Sequence, residues 1–98
     1  MNNDDEHICK NIKYLMTKLL YERRFYFDKN CYLNSEGMKI LIEISRLINR
    51  CFPHYRNRIR YIIRNPSIDN IAKLAEDLYG SELIEGLFYD PYSYSYDI

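Results

Sequence analysis

The 98 residues carry 14 Lys plus Arg against 14 Asp plus Glu, so the formal net charge is zero at pH 7. That length holds one domain, and the 47% hydrophobic content with three Gly and three Pro excludes collagen, low-complexity linker and wholesale disorder. No apolar run is longer than Ile40-Leu41-Ile42, which excludes a membrane span. The opening Asp4, Asp5 and Glu6 have the wrong sign for a signal or transit peptide.

In chain order, the first element is a helix whose apolar face is Ile8, Ile12, Leu15, Met16, Leu19 and Leu20. These recur at helical spacing. Asn3, Asp4 or Asp5 can cap its start, and Arg23 and Arg24 suit its end. Phe25-Tyr26-Phe27 and Cys31-Tyr32-Leu33 are β-prone and flank the turn residues Asp28-Lys29-Asn30. Asn34 or Ser35 then starts a second helix. Its apolar positions run from Met38 to Phe52, interrupted on a narrow stripe by Lys39, Glu43, Arg46 and Arg50. A helix apolar nearly all round is predicted to be the central, most buried element.

Pro53 either kinks this helix or starts a new one. Beyond it, Tyr55, Ile59, Ile62 and Ile63 form one face, while Arg56, Arg60 and Arg64 form another at one-turn spacing. Asn65-Pro66-Ser67 stops this element and starts the next, which shows Ile68, Ile71, Ala72, Ala75, Leu78 and Tyr79 on one face and ends at Gly80. Ser81 can cap a further turn carrying Leu83, Ile84, Leu87 and Phe88. Residues 1–88 are thus expected to form a single helical domain. Residues 89–98 form a Tyr-rich tail, expected to be flexible, or else an extended peptide with Tyr92, Tyr94 and Tyr96 on one side.

The zero net charge hides a segregation. Residues 1–43 are balanced. Residues 44–68 contain Arg46, Arg50, Arg56, Arg58, Arg60 and Arg64 and no acid, and residues 69–98 contain Lys73 against seven acids. Arginine suits phosphate or carboxylate recognition better than lysine does. The arginine block either faces a polyanion or is neutralised by the acidic third segment within the fold.

The three cysteines are Cys9, Cys31 and Cys51. An odd count with no secretory signal argues against a disulfide framework and for a reducing, intracellular setting. Cys9 and Cys51 lie among apolar residues and are expected to pack as free thiols. No pair has zinc-ligand spacing, and His7 and His54 fit no metal pattern. There is no Gly-rich phosphate loop and no carboxylate pair in an apolar setting, so no catalytic residue, cofactor or small-molecule substrate is expected. A helix-turn-helix over residues 67–86 is disfavoured by Glu82 and Glu85 on its second helix, which repel phosphate.

The order of elements has the plan of a histone fold: short helix, β-prone loop, long central helix, β-prone loop, short helix. The runs Leu15-Met16-Thr17-Lys18-Leu19-Leu20, Phe27-Asp28-Lys29 and Leu33-Asn34-Ser35-Glu36-Gly37-Met38-Lys39-Ile40-Leu41-Ile42-Glu43-Ile44, with Ile68-Asp69-Asn70-Ile71-Ala72-Lys73-Leu74-Ala75 downstream, resemble the centromere protein X family over roughly residues 10–80. Pro53 in mid-helix and the Tyr-rich tail depart from that pattern.

The resemblance implies an all-α, histone-fold-like chain, kinked or split at Pro53. A small four- or five-helix bundle is the alternative. It implies a second histone-fold partner resembling centromere protein S, or a homo-oligomer, meeting Leu41, Ile44, Leu47, Ile48, Cys51, Phe52, Ile59 and Ile62. Tyr32-Leu33 and Tyr61-Ile62-Ile63 would be loop strands pairing with the partner's loops. Lys29, Arg56, Arg58, Arg60 and Arg64 would touch DNA backbone without reading bases, in a nuclear complex of the kinetochore or DNA-repair type. One continuous kinked helix over residues 34–64 would support this plan, and a clean break into two packed helices would sink it. The alternative from another class is a helical adaptor whose arginine stripe docks an acidic partner. Its richness in Tyr, Asn and Ile suits an AT-rich genome such as that of a virus or reduced parasite.

Overall fold

The computed structural model describes residues 3–81 and Leu83. Among them the chain is all-α: α1 (Asn3–Tyr21), α2 (Arg23–Tyr26), α3 (Ser35–Cys51), α4 (Arg56–Arg64) and α5 (Ile68–Tyr79), with a 3-10 turn at Pro53–Tyr55 between α3 and α4. The additional turn expected after Ser81 and the Tyr-rich tail lie outside the described residues, Leu83 excepted.

The expected face of α1 is its buried face. Ile12, Met16, Leu19 and Leu20 are fully buried and Leu15 packs against them. The helix ends at Tyr21, and the chain makes one more helical turn, α2, where a strand was expected from Phe25 and Tyr26. Only Phe27 of that trio is extended, pairing antiparallel with Leu33. Asn34 starts α3: its Oδ1 accepts from Gly37 N (2.8 Å) and its Nδ2 donates to the Phe25 carbonyl (2.7 Å), so one side chain holds both α2 and α3.

α3 packs against α1, α2, α4 and the 3-10 turn, and is the central element. Leu41, Ile44 and Ile48 are buried completely. Its coverage is less than all round, since Ile42 is 39% exposed. The helix does not continue through Pro53. A proline lacks the N–H that would bond the preceding turn and pushes the residue before it out of the α region. Phe52 accordingly sits at φ −136°, ψ 65°, and α3 ends at Cys51. Pro53 opens the 3-10 turn, and α4 then packs against α3 through Ile59 and Ile62. The single long helix of the histone plan is therefore two packed helices.

Two further expectations are corrected. Tyr61-Ile62-Ile63 is helical, in α4, rather than a loop strand. Its β propensity is overridden because only helical spacing turns Ile59 and Ile62 together into the core. Cys9 and Cys51 form a disulfide, with their Cα atoms 5.9 Å apart. The N-terminal part of α1 lies against the end of α3, which brings two cysteines 42 residues apart to one point. Cys31 is free and exposed.

The last helix begins at Ser67, whose Oγ accepts from Asn70 N, and ends at Gly80, whose φ of 82° suits glycine. Ile71, Leu74 and Ala75 fill the remaining side of the core against α1. Tyr79 buries its hydroxyl with no hydrogen-bond partner, and Lys13 Nζ stands 5.9 Å from its ring centroid. Burial without a partner pushes the Tyr79 phenol above its usual pKa.

Candidate functional site

α4 is built with two opposed faces. Ile59 and Ile62 are fully buried and Ile63 half-buried, which leaves Arg56, Asn57, Arg60, Tyr61 and Arg64 in solvent. Arg56, Arg60 and Arg64 follow one another at i, i+4 and i+8, about 6 Å apart along the axis. None of the three meets a carboxylate among the described residues. α4 itself contains no acid. Other members of the block are engaged, among them Arg58 with Asp77 on α5 and Arg46 with Glu43 one turn before it in α3 (3.5 Å). Asp77 of the acidic third segment thus answers the arginine block at Arg58, and no carboxylate among the described residues reaches the outer face of α4.

The loop between α2 and α3 is fixed beside the end of α4. Asp28 Oδ1 accepts from Asn30 N (2.8 Å) and Tyr32 N (3.1 Å), and Cys31 takes a left-handed conformation at φ 66°. Tyr32 then bridges antiparallel to Ser67. Leu33 N donates to the Pro66 carbonyl (3.0 Å) and Ile68 N to the Cys31 carbonyl (2.9 Å). Asn65, between Arg64 and this bridge, caps α4 by donating its N–H to the Tyr61 carbonyl (3.0 Å). Lys29, exposed at the tip of the loop, is thereby held at the Arg64 end of α4.

Of the expected phosphate-binding residues, Arg56, Arg60 and Arg64 share one exposed face and Lys29 joins them at one end. Arg58 is turned aside to Asp77. The expected partner interface is placed otherwise. Leu41, Ile44, Ile48, Ile59 and Ile62 are buried inside this chain, and Leu47, Cys51 and Phe52 are half-buried against the same core, Cys51 in the disulfide. The break at Pro53 is the reason, since it lets α4 cover α3. The loop segment Tyr32-Leu33 likewise pairs with Pro66–Ile68 of its own chain.

Tyr61 is a surface residue that only the histone plan hides, by making it part of a loop strand; the helical spacing of Ile59 and Ile62 already turns it outward. Taken as helix, residues 56–64 place Tyr61 a turn from Asn57 and from Arg64, opposite the isoleucines. Among the described residues no group of His, Cys, Asp and Glu could hold a metal ion, and no helix is long and apolar enough to cross a membrane. No family model matches the chain, and no curated protein or solved structure is significantly similar to it.

Proposed function

We propose that this protein is a non-enzymatic helical module that binds nucleic-acid backbone through α4. The observation that carries the reading is the row Arg56, Arg60 and Arg64 on the exposed face of a helix with no acid, unpaired with any described carboxylate. Guanidinium groups grip phosphate oxygens in pairs and stay charged at any working pH. Three such groups, with Lys29 beyond them, neutralise up to about four phosphates and release as many counterions. The proposed contact is to backbone phosphate, which positions a protein on nucleic acid without reading sequence.

The part of the centromere protein X resemblance kept in this proposal is the arginine placement. Pairing with a second histone-fold chain would need the bridge between Tyr32 and Ser67 and the α3–α4 packing to open first. A reducing nuclear setting also runs against the Cys9–Cys51 bond, since disulfides persist in oxidising surroundings. The proposal therefore starts from the folded chain alone. Light scattering at micromolar concentration tests that point, and a stable dimer would restore the pairing plan.

The binding test is fluorescence anisotropy with a labelled duplex at several salt concentrations. The slope of log K against log salt is expected to be roughly −3 to −4. Arg60→Gln with Arg64→Gln is expected to lower its magnitude by about two. Binding unchanged by this double substitution would remove α4 as the interface. A second reading, an adaptor docking an acidic protein, is favoured by Arg58, which already binds a carboxylate at Asp77. It predicts retention on polyglutamate and none on duplex DNA.

A further inference from the structure

The outer face of α4 is not uniformly charged. Tyr61 stands within it, 57% exposed, adjacent to Arg60 and one turn from Asn57 and Arg64. The helix already buries Ile59 and Ile62, so this ring adds nothing to the core. A second ring lies at the same end. Tyr32 is 45% exposed, and its backbone is bridged to Ser67, two residues beyond the Asn65 that caps α4. Lys29 belongs to the same loop. The acid of that loop, Asp28, spends Oδ1 on the backbone N–H groups of Asn30 and Tyr32. Asp69, in the first turn of α5, is the other acid close in sequence to this end. One exposed ring, Tyr61, thus shares the outer face of α4 with Arg60 and Arg64, and a second, Tyr32, shares with Lys29 the loop that is bridged to the segment following α4.

A duplex gives such rings little to do. Its bases are stacked inside, and a ring on a helix lying along the backbone meets sugar and phosphate. A single strand presents a flat π-face at every unpaired base, and proteins that hold single strands pair a basic track with exposed aromatic platforms. We propose that the edge formed by α4 and the loop before α3 binds single-stranded nucleic acid, with Tyr61 and Tyr32 stacking on unpaired bases while Arg60, Arg64 and Lys29 follow the backbone. This inference rests on the phosphate-binding reading of α4 and narrows it to one class of ligand.

The test compares a labelled twelve-nucleotide oligo-dT with a blunt duplex of equal length, using the full chain at one salt concentration. Tyr61→Ala is expected to weaken the single-strand complex roughly 5–150-fold, the loss of one stacked base. It should leave the duplex complex within about twofold, while Tyr61→Phe keeps single-strand binding. The chain has no Trp, so Tyr61→Trp introduces a unique reporter whose fluorescence is expected to be quenched when oligo-dT binds. Far-UV circular dichroism of each variant shows whether the helices are retained.

Three outcomes overturn the inference, and they are distinguishable. If Tyr61→Ala changes neither complex while Arg60→Gln with Arg64→Gln weakens both, the stacking is wrong and the backbone contact stands. If neither nucleic acid binds in a salt-dependent way, both readings fall together. If polyglutamate binds and oligo-dT does not, the face is a protein-docking surface.

Discussion

Reducing the Cys9–Cys51 bond should cost this chain a large part of its stability. The bond closes a loop spanning 42 positions of sequence. In the chain-entropy account, a loop of that length removes about 13 cal/mol/K from the unfolded ensemble, or about 4 kcal/mol at 25 °C. A domain of this size has only about 5–15 kcal/mol in total. For 60–100 residues each kcal/mol moves the melting temperature by about 4–8 °C, so the expected drop is about 15–30 °C. The assay is thermal denaturation followed at 222 nm, with and without reductant. Cys9→Ser with Cys51→Ser is the control: it should melt like the reduced protein and ignore the reductant. A thiol titration in denaturant, without reductant, should find Cys31 alone reactive. Three reactive thiols, or a melting curve indifferent to reductant, would refute the closure on which the magnitude depends.

Three other substitutions probe the packing around the site. A methyl group at Gly37 would meet the Tyr26 carbonyl oxygen and Leu33 Cδ2, both at 2.6 Å, so Gly37→Ala is expected to destabilise by about 1–3 kcal/mol in urea unfolding. Asn34→Ala removes the cap of α3 and the bond to the Phe25 carbonyl, and should cost about 1–2 kcal/mol in the same assay. Tyr79→Phe removes a buried hydroxyl that has no partner and is expected to stabilise by about 1 kcal/mol. The phenol's pKa is raised on folding, so its contribution is complete below the unfolded value near 10 and is lost as pH rises through the folded value. Tyr79→Phe should therefore lose less stability than the parent between neutral pH and pH 11, measured by urea titration at each pH.

Much of the helical fold is legible in the residues themselves. The spacing of Ile12, Met16, Leu19 and Leu20 names the buried face of α1. Asn34, Ser67 and Gly80 mark helix ends because their chemistry is local. What local pattern cannot supply is the outcome of competition between elements. Pro53 is compatible with a kink or a break, and the break prevails because Ile59 and Ile62 gain a core to enter. Tyr61-Ile62-Ile63 has strand composition and becomes helix for the same reason. Leu74 is wholly buried although the expected face of α5 omitted it, since α1 covers a broader sector than periodicity alone suggests. The disulfide was hidden by the parity of three cysteines, because the count cannot say which thiol is left over. The arginine row was legible as spacing. Its openness was not, because that depends on Asp77 reaching Arg58 and no other carboxylate among the described residues reaching the outer face.

The bridge between Tyr32 and Ser67 and the bond between Cys9 and Cys51 close two rings of chain that overlap along the whole of α3. One ring is covalent and the other is held by two short segments of backbone, residues 31–33 and 66–68, yet neither can be opened by fraying from an end. Segments outside the overlap can exchange their amide hydrogens through small local openings. The amides of Leu41 to Ile48 belong to both rings, so their exchange requires the whole structure to come apart. In deuterium they should be the slowest in the molecule, and their rate should report its global stability directly.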